Sequence, residues 1–104
     1  MASSKEYLHF VLEQLSGVDG ISYRPMMGEY IIYCREKIVG GIYDNRLLVK
    51  PTKSAVAYIK DPTYEYPYEG AGKMLLVDEL DDREYLAGLI SALYEDLPSP
   101  KRKQ

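Results

Sequence analysis

The chain has 104 residues, enough for one domain that buries roughly two-thirds of the surface its unfolded form exposes. Thirteen lysines and arginines stand against sixteen carboxylates, a net charge of −3, so no overall positive field exists for phosphates or an anionic membrane, and tight duplex-DNA binding is not expected. The one cysteine, Cys34, cannot form an internal disulfide; no apolar run approaches the ~18 residues of a membrane helix, and MASSKEYLHF lacks an export signal pattern, so a cytoplasmic protein with no membrane association is expected.

Tyr7, Leu8, Val11, Leu12 and Leu15 recur at helical spacing, and Ser3 with Glu6 reads as a capping box, predicting an amphipathic helix that ends near Gly17. Gly17 and Gly20 lead into ISYRPM, an extended segment whose Pro25 fits only an edge or a bulge. Met27-Gly28 breaks it, and Tyr30 to Cys34 forms a second strand. Arg35-Glu36 makes the next turn, an unusual choice because neither residue favours positive φ. Lys37 to Tyr43 is a third strand, Asp44-Asn45 a left-handed turn, and Arg46 to Lys50 a fourth strand.

Thr52 caps a short helix carrying Ala55, Val56 and Ile59, stopped by Asp61-Pro62. YEYPYEGAGK is irregular with strand-like alternation, Lys73 to Val77 is a last strand, and Asp81 caps a helix whose Tyr85, Leu86, Leu89, Ile90, Leu93, Tyr94 and Leu97 form one apolar stripe. The expected fold is α+β, an antiparallel meander with helices packed on it, in the order α-β-β-β-β-α-β-α. Residues 1–98 make one domain, and the tail 99–104 is expected to be disordered.

Few residues suggest chemistry. EGAGKML lacks the further glycine and the serine or threonine of a phosphate-binding loop, so it reads as a glycine turn. His9 and Cys34 alone cannot supply the three or four ligands of a zinc site, and no nucleophile has an evident base. The carboxylates Asp78, Glu79, Asp81, Asp82 and Glu84 fall where a helix start favours negative charge. No catalytic, metal or cofactor residues are expected, and the chain reads as a non-enzyme.

The candidate partner-binding residues are Arg24, Met26, Met27, Tyr64, Tyr66 and Tyr68. Arg24 either pairs with a carboxylate such as Glu29 or presents itself to a partner. Met26 and Met27 are adaptable apolar fillers. Tyr64, Tyr66 and Tyr68, from a chain with eleven tyrosines and no tryptophan, either pack on the sheet margin or form a partner surface. Gly88 and Ala92, one turn apart on the last helix, permit close helix approach, and a homodimer is one expectation.

RPMMGEYIIYC followed by KIVGGIYDNRLLVKPT resembles the N-terminal domain of the TfoX/Sxy family of competence regulators. The resemblance runs roughly from Tyr7 to Leu97 and is carried by Arg24, Met27, Gly28, Tyr30, Tyr33, Gly41, Leu47, Leu48 and Lys50, with Arg35-Glu36 in place of a glycine-bearing turn. It implies a non-enzymatic regulatory module that works with a transcription regulator or RNA polymerase in control of DNA-uptake genes. The architecture is also similar to small secretion chaperones, which implies the alternative of a dimeric peptide-binding protein.

Overall fold

The computed structural model describes residues 3–98. The tail expected to be disordered lies outside the described residues. In chain order the elements are α1 (Lys5–Gln14), β1 (Ile21–Met26), β2 (Glu29–Cys34), β3 (Lys37–Ile42), β4 (Leu47–Val49), α2 (Lys53–Tyr58), β5 (Tyr64–Glu65), β6 (Met74–Leu76) and α3 (Arg83–Asp96). The strands form one antiparallel sheet in the order β1-β2-β3-β4-β6-β5. The expected α+β class and element order hold, with one addition: Tyr64–Glu65 pairs with β6 as a short edge strand.

Helix boundaries differ from expectation where side-chain oxygens choose other partners. Ser4, not Ser3, caps α1 by accepting from Tyr7 N–H at 3.1 Å. Ser3 is instead buried, its hydroxyl donating to Glu29 Oε1 at 2.6 Å and accepting from Asn45 N–H at 3.0 Å. The N-terminal segment is thereby tied to two hairpin turns. α1 stops at Gln14, whose side-chain amide donates to Leu80 O at 2.6 Å, and α3 starts from Asp82 rather than Asp81. Thr52 caps α2 as expected.

Two long-range contacts complete the helix ends. Asp96 accepts from Ser54 N–H at 2.7 Å and from its hydroxyl at 3.0 Å, placing a carboxylate at the N-terminal end of α2. Those hydrogen bonds hold its pKa below the usual carboxylate range. Lys37 Nζ donates at 2.9 Å to Leu97 O, a carbonyl past the end of α3, and at 3.3 Å to Tyr94 O, which also accepts from Leu97 N–H.

Three two-residue turns join the first four strands. Arg35 (φ 48°) with Glu36 (φ 75°), and Asp44 (φ 53°) with Asn45 (φ 54°), are left-handed at both positions, as turns matched to strand twist require. Met27 (φ 51°) and Gly28 (φ 86°) do the same. Asp and Asn tolerate this region; Arg35 and Glu36 cost about 1–2 kcal/mol each relative to their ordinary conformations. Arg35 gains contacts in return, 5.6 Å from the Tyr94 ring and 3.6 Å from Asp19, whereas Glu36 is merely exposed. Glu36→Gly should therefore raise stability by about 1 kcal/mol, visible as a higher urea midpoint at unchanged slope; a lower midpoint would contradict this account of the turn.

All three helices contribute to one core against one face of the sheet. Leu8, Val11 and Leu15 of α1, Ala55 of α2, and Leu86, Leu89, Ile90 and Leu93 of α3 meet Ile32, Cys34, Val39, Ile42, Leu47, Val49, Leu75 and Val77. Among the described residues the opposite face carries no helix.

Candidate protein-interaction surface

Strand alternation and register determine what this uncovered face displays. Arg24 lies opposite Ile31, Ser22 opposite Tyr33, and Met26 opposite Glu29, all turned away from the helices. On β3 the register shifts: Ile32 pairs with Gly40 but Tyr33 pairs with Ile38, leaving Val39 as an extra residue. By simple alternation Ile38 would share the core face with Gly40 and Ile42. The bulge turns it outward beside Tyr33, where it is 39% exposed, while Val39 enters the core.

Arg24 does not pair with Glu29. That carboxylate is held by Ser3 and by Asp44 N–H at 3.1 Å, and Arg24 stands over the Tyr33 ring, 5.8 Å from its centroid, with no ion pair among the described residues. The result is a guanidinium on an aromatic ring, flanked by Ile31 and Ile38. Stacking of this kind contributes about 0.5–1 kcal/mol at an exposed site and leaves the guanidinium edge open to a carboxylate. The filler reading of Met27 is corrected: it sits at the tip of the β1–β2 hairpin and is 97% exposed. Met26 is half-buried on the uncovered face.

Tyr64 lies in β5 at the other edge of the sheet, and Tyr66 and Tyr68 follow it in the chain. Tyr64 pairs with Leu75 and carries Lys73 Nζ 4.3 Å from its ring centroid. Past β5 the chain is tied back by Arg46, which donates to Glu65 Oε1 at 2.8 Å and to Tyr66 O at 3.2 Å. Pro67 is buried, and Tyr68 packs at 6.1 Å on Tyr43, itself buried over Gly41. Burial, then the neighbouring Tyr68, pushes the Tyr43 phenol up. Tyr66 and Tyr68 nonetheless remain more than half exposed. Five strand spacings, roughly 24 Å, separate Tyr64 from β1. The structure therefore gathers Arg24, Met26 and Met27 on one hairpin and leaves Tyr64 at the opposite margin, with Tyr66 and Tyr68 folded back toward the β3–β4 turn.

Sequence reasoning missed Tyr33 and Ile38. Tyr33 is legible once Arg24 is placed on the uncovered face, but Ile38 depends on the bulge, whose signal is the Gly40-Gly41 pair within an otherwise β-branched run. Gly88 has a partner inside the monomer: a side chain there would collide with the Tyr58 hydroxyl, which donates to Tyr85 O at 2.9 Å. It serves the packing of α2 on α3, so it lends nothing to self-association.

Other chemistry-bearing groups are isolated. Cys34 is buried, its thiol donating to Asp19 O at 3.6 Å, and burial pushes its pKa up, away from a reactive thiolate. Among the described residues no three His, Cys, Asp or Glu side chains converge as metal ligands, and no buried side-chain polar atom lacks a hydrogen-bond partner. No helix among them is long and apolar enough to cross a membrane.

Comparison with known proteins agrees with the family resemblance read from the sequence. A protein of Spirochaeta aurantia described as an uncharacterized 12.7 kDa protein in the trpE 5′ region is 31% identical over 105 residues, covering 100% of this chain and 91% of that protein. No solved structure matches the chain. The model of the TfoX N-terminal domain matches residues 13–95, from the end of α1 through almost all of α3. The chain belongs to the TfoX N-terminal domain family.

Proposed function

We propose that this domain is a cytoplasmic, non-enzymatic adaptor that binds a transcription regulator or RNA polymerase, in a regulatory role of the kind associated with competence in its family. The observation that supports this reading is the uncovered sheet face around Arg24. A stacked guanidinium, an aromatic ring and the outward-turned Ile38 combine the residue types on which protein interfaces concentrate their binding energy. The net charge of −3 favours contact with a protein over direct contact with DNA.

Affinity purification from the native cell tests it. Wild-type protein should recover a transcription regulator or RNA polymerase, and Arg24→Ala with Ile38→Ser should lower capture by about tenfold or more. Both side chains are exposed, so the thermal midpoint of the double variant should stay near that of the wild type. Undiminished capture by a folded double variant, or recovery of neither partner by the wild type, overturns the reading.

A further inference from the structure

The hydrogen-bonding parity of β1 can be read from both of its ends. The Met27-Gly28 turn has two residues, so its flanking pair, Met26 and Glu29, is hydrogen-bonded across the hairpin. The same parity then holds for Arg24 with Ile31 and Ser22 with Tyr33. At the far end Arg35 N–H donates to Gly20 O at 2.9 Å, as this parity requires. The backbone N–H and C=O groups of Ile21 and Tyr23, and the C=O of Pro25, therefore point away from β2 toward the open margin of the sheet. Pro25 stands where its missing N–H costs the ladder nothing.

Beside that margin, α1 and the chain leaving it form a groove of about 490 Å³ lined by Leu12, Leu15, Ser16, Val18, Ile21 and Tyr23. Tyr23 is 44% exposed along it. On the other face of the same strand Arg24 carries the only charge between Ile21 and Met26. Glu36 lines the hollow next to Arg24 but forms no ion pair with it.

We infer that the free edge of β1 is a strand-addition site for an extended segment of a partner protein in which apolar residues alternate with acidic ones. This rests on the reading of the domain as an interaction module and specifies the partner's chemistry. An added strand places successive side chains on opposite faces. Those beside Ile21 and Tyr23 enter the groove, where Leu12 and Val18 offer apolar contact, and the one beside Arg24 lies on the uncovered face, where a carboxylate complements the unpaired guanidinium. The backbone of the segment completes the hydrogen bonds of Ile21 and Tyr23.

The test uses the full chain, isotope-labelled for NMR, and a capped peptide of sequence Thr-Val-Glu-Val-Glu-Ile-Thr. Saturable binding is expected, with slowed hydrogen exchange at the Ile21 and Tyr23 amides, shifts at Leu12 and Val18, and little change in exchange at Ser22 and Arg24, whose amides already serve the ladder. Tyr23→Pro, which removes an edge donor without touching the β1–β2 bonds, should weaken binding by about tenfold. Should that variant misfold, the same peptide N-methylated at its central valine tests the point on the unaltered protein and should not bind. Arg24→Glu should reverse the preference toward a peptide with lysine in place of glutamate.

Unchanged exchange at Ile21 and Tyr23 at saturating peptide overturns the proposal. So does a dimer, in the absence of peptide, in which those amides are already protected by a second copy. Loss of the peptide result while Arg24 and Ile38 still govern partner capture removes the strand-addition site alone. Docking of the peptide in register, with neither regulator nor polymerase recovered from cells, supports the site and removes the proposed partners.

Discussion

Gly40→Ala should cost about 3 kcal/mol or more, a large share of the 5–15 kcal/mol that holds an ordinary domain together. Gly40 pairs with Val49 in the middle of the sheet, and a methyl group there would meet Leu48 O and, at 2.8 Å, Val49 Cα. Both are backbone atoms. A flexible side chain could swing aside, but β4 is held on its other side by β6, so relief requires the sheet to open. Urea unfolding of Gly40→Ala against the wild type measures the loss. Gly17→Ala is the control, since an added methyl meets nothing within 4 Å, and it should change stability by less than about 1 kcal/mol. A Gly40 variant as stable as the wild type would mean that β3 and β4 do not approach as described.

The same glycine shows where the sequence stops being readable. Local signals sufficed for the meander, because its turns fall between apolar runs and each run is long enough to recognise. Thr52, three residues ahead of the N–H it accepts from, was likewise legible. The bulge was not. It exists because Gly40 lets β4 approach closely while Val39 drops into the core, and both facts depend on strands that are distant in the chain. Ile38 therefore reads as a core residue by parity and lies on the surface. Ser3, Glu29 and Asn45 tell the same story: the capping box was a sound local motif, but two hairpin turns arriving beside Ser3 offered its hydroxyl better partners. Arg24 lost its nearest carboxylate to that cluster, which is how a residue with two open readings became the unpaired charge of the candidate surface.

Leu48→Ala should cost about 2–5 kcal/mol, although Leu48 points to the face without helices. Leu47 and Val49 on either side of it belong to the main core, so alternation turns Leu48 outward, yet none of its surface is exposed. Its cross-strand neighbours are Gly41 and Leu76. The Tyr43 ring lies over Gly41, and Tyr68 leans on Tyr43 from the segment that Arg46 ties down. The uncovered face is thus divided: a closed part over Gly41 and Leu48, roofed by Tyr43 and Tyr68, and an open part over β1, β2 and the first part of β3. Ile31, on the open part and only half-buried, should cost no more than about 1 kcal/mol as Ile31→Ala. Leu48→Ala should also loosen the roof, so that the segment 66–72 becomes the first site cut by a protease, whereas Ile31→Ala should leave that segment as resistant as in the wild type. Equal costs for the two substitutions would show that the face is uniformly open and that Tyr43 and Tyr68 do not seal it. Unequal costs in the expected order would place the stability of this face with the tyrosine roof and leave the part around Arg24, Tyr33 and Ile38 free to change without endangering the fold.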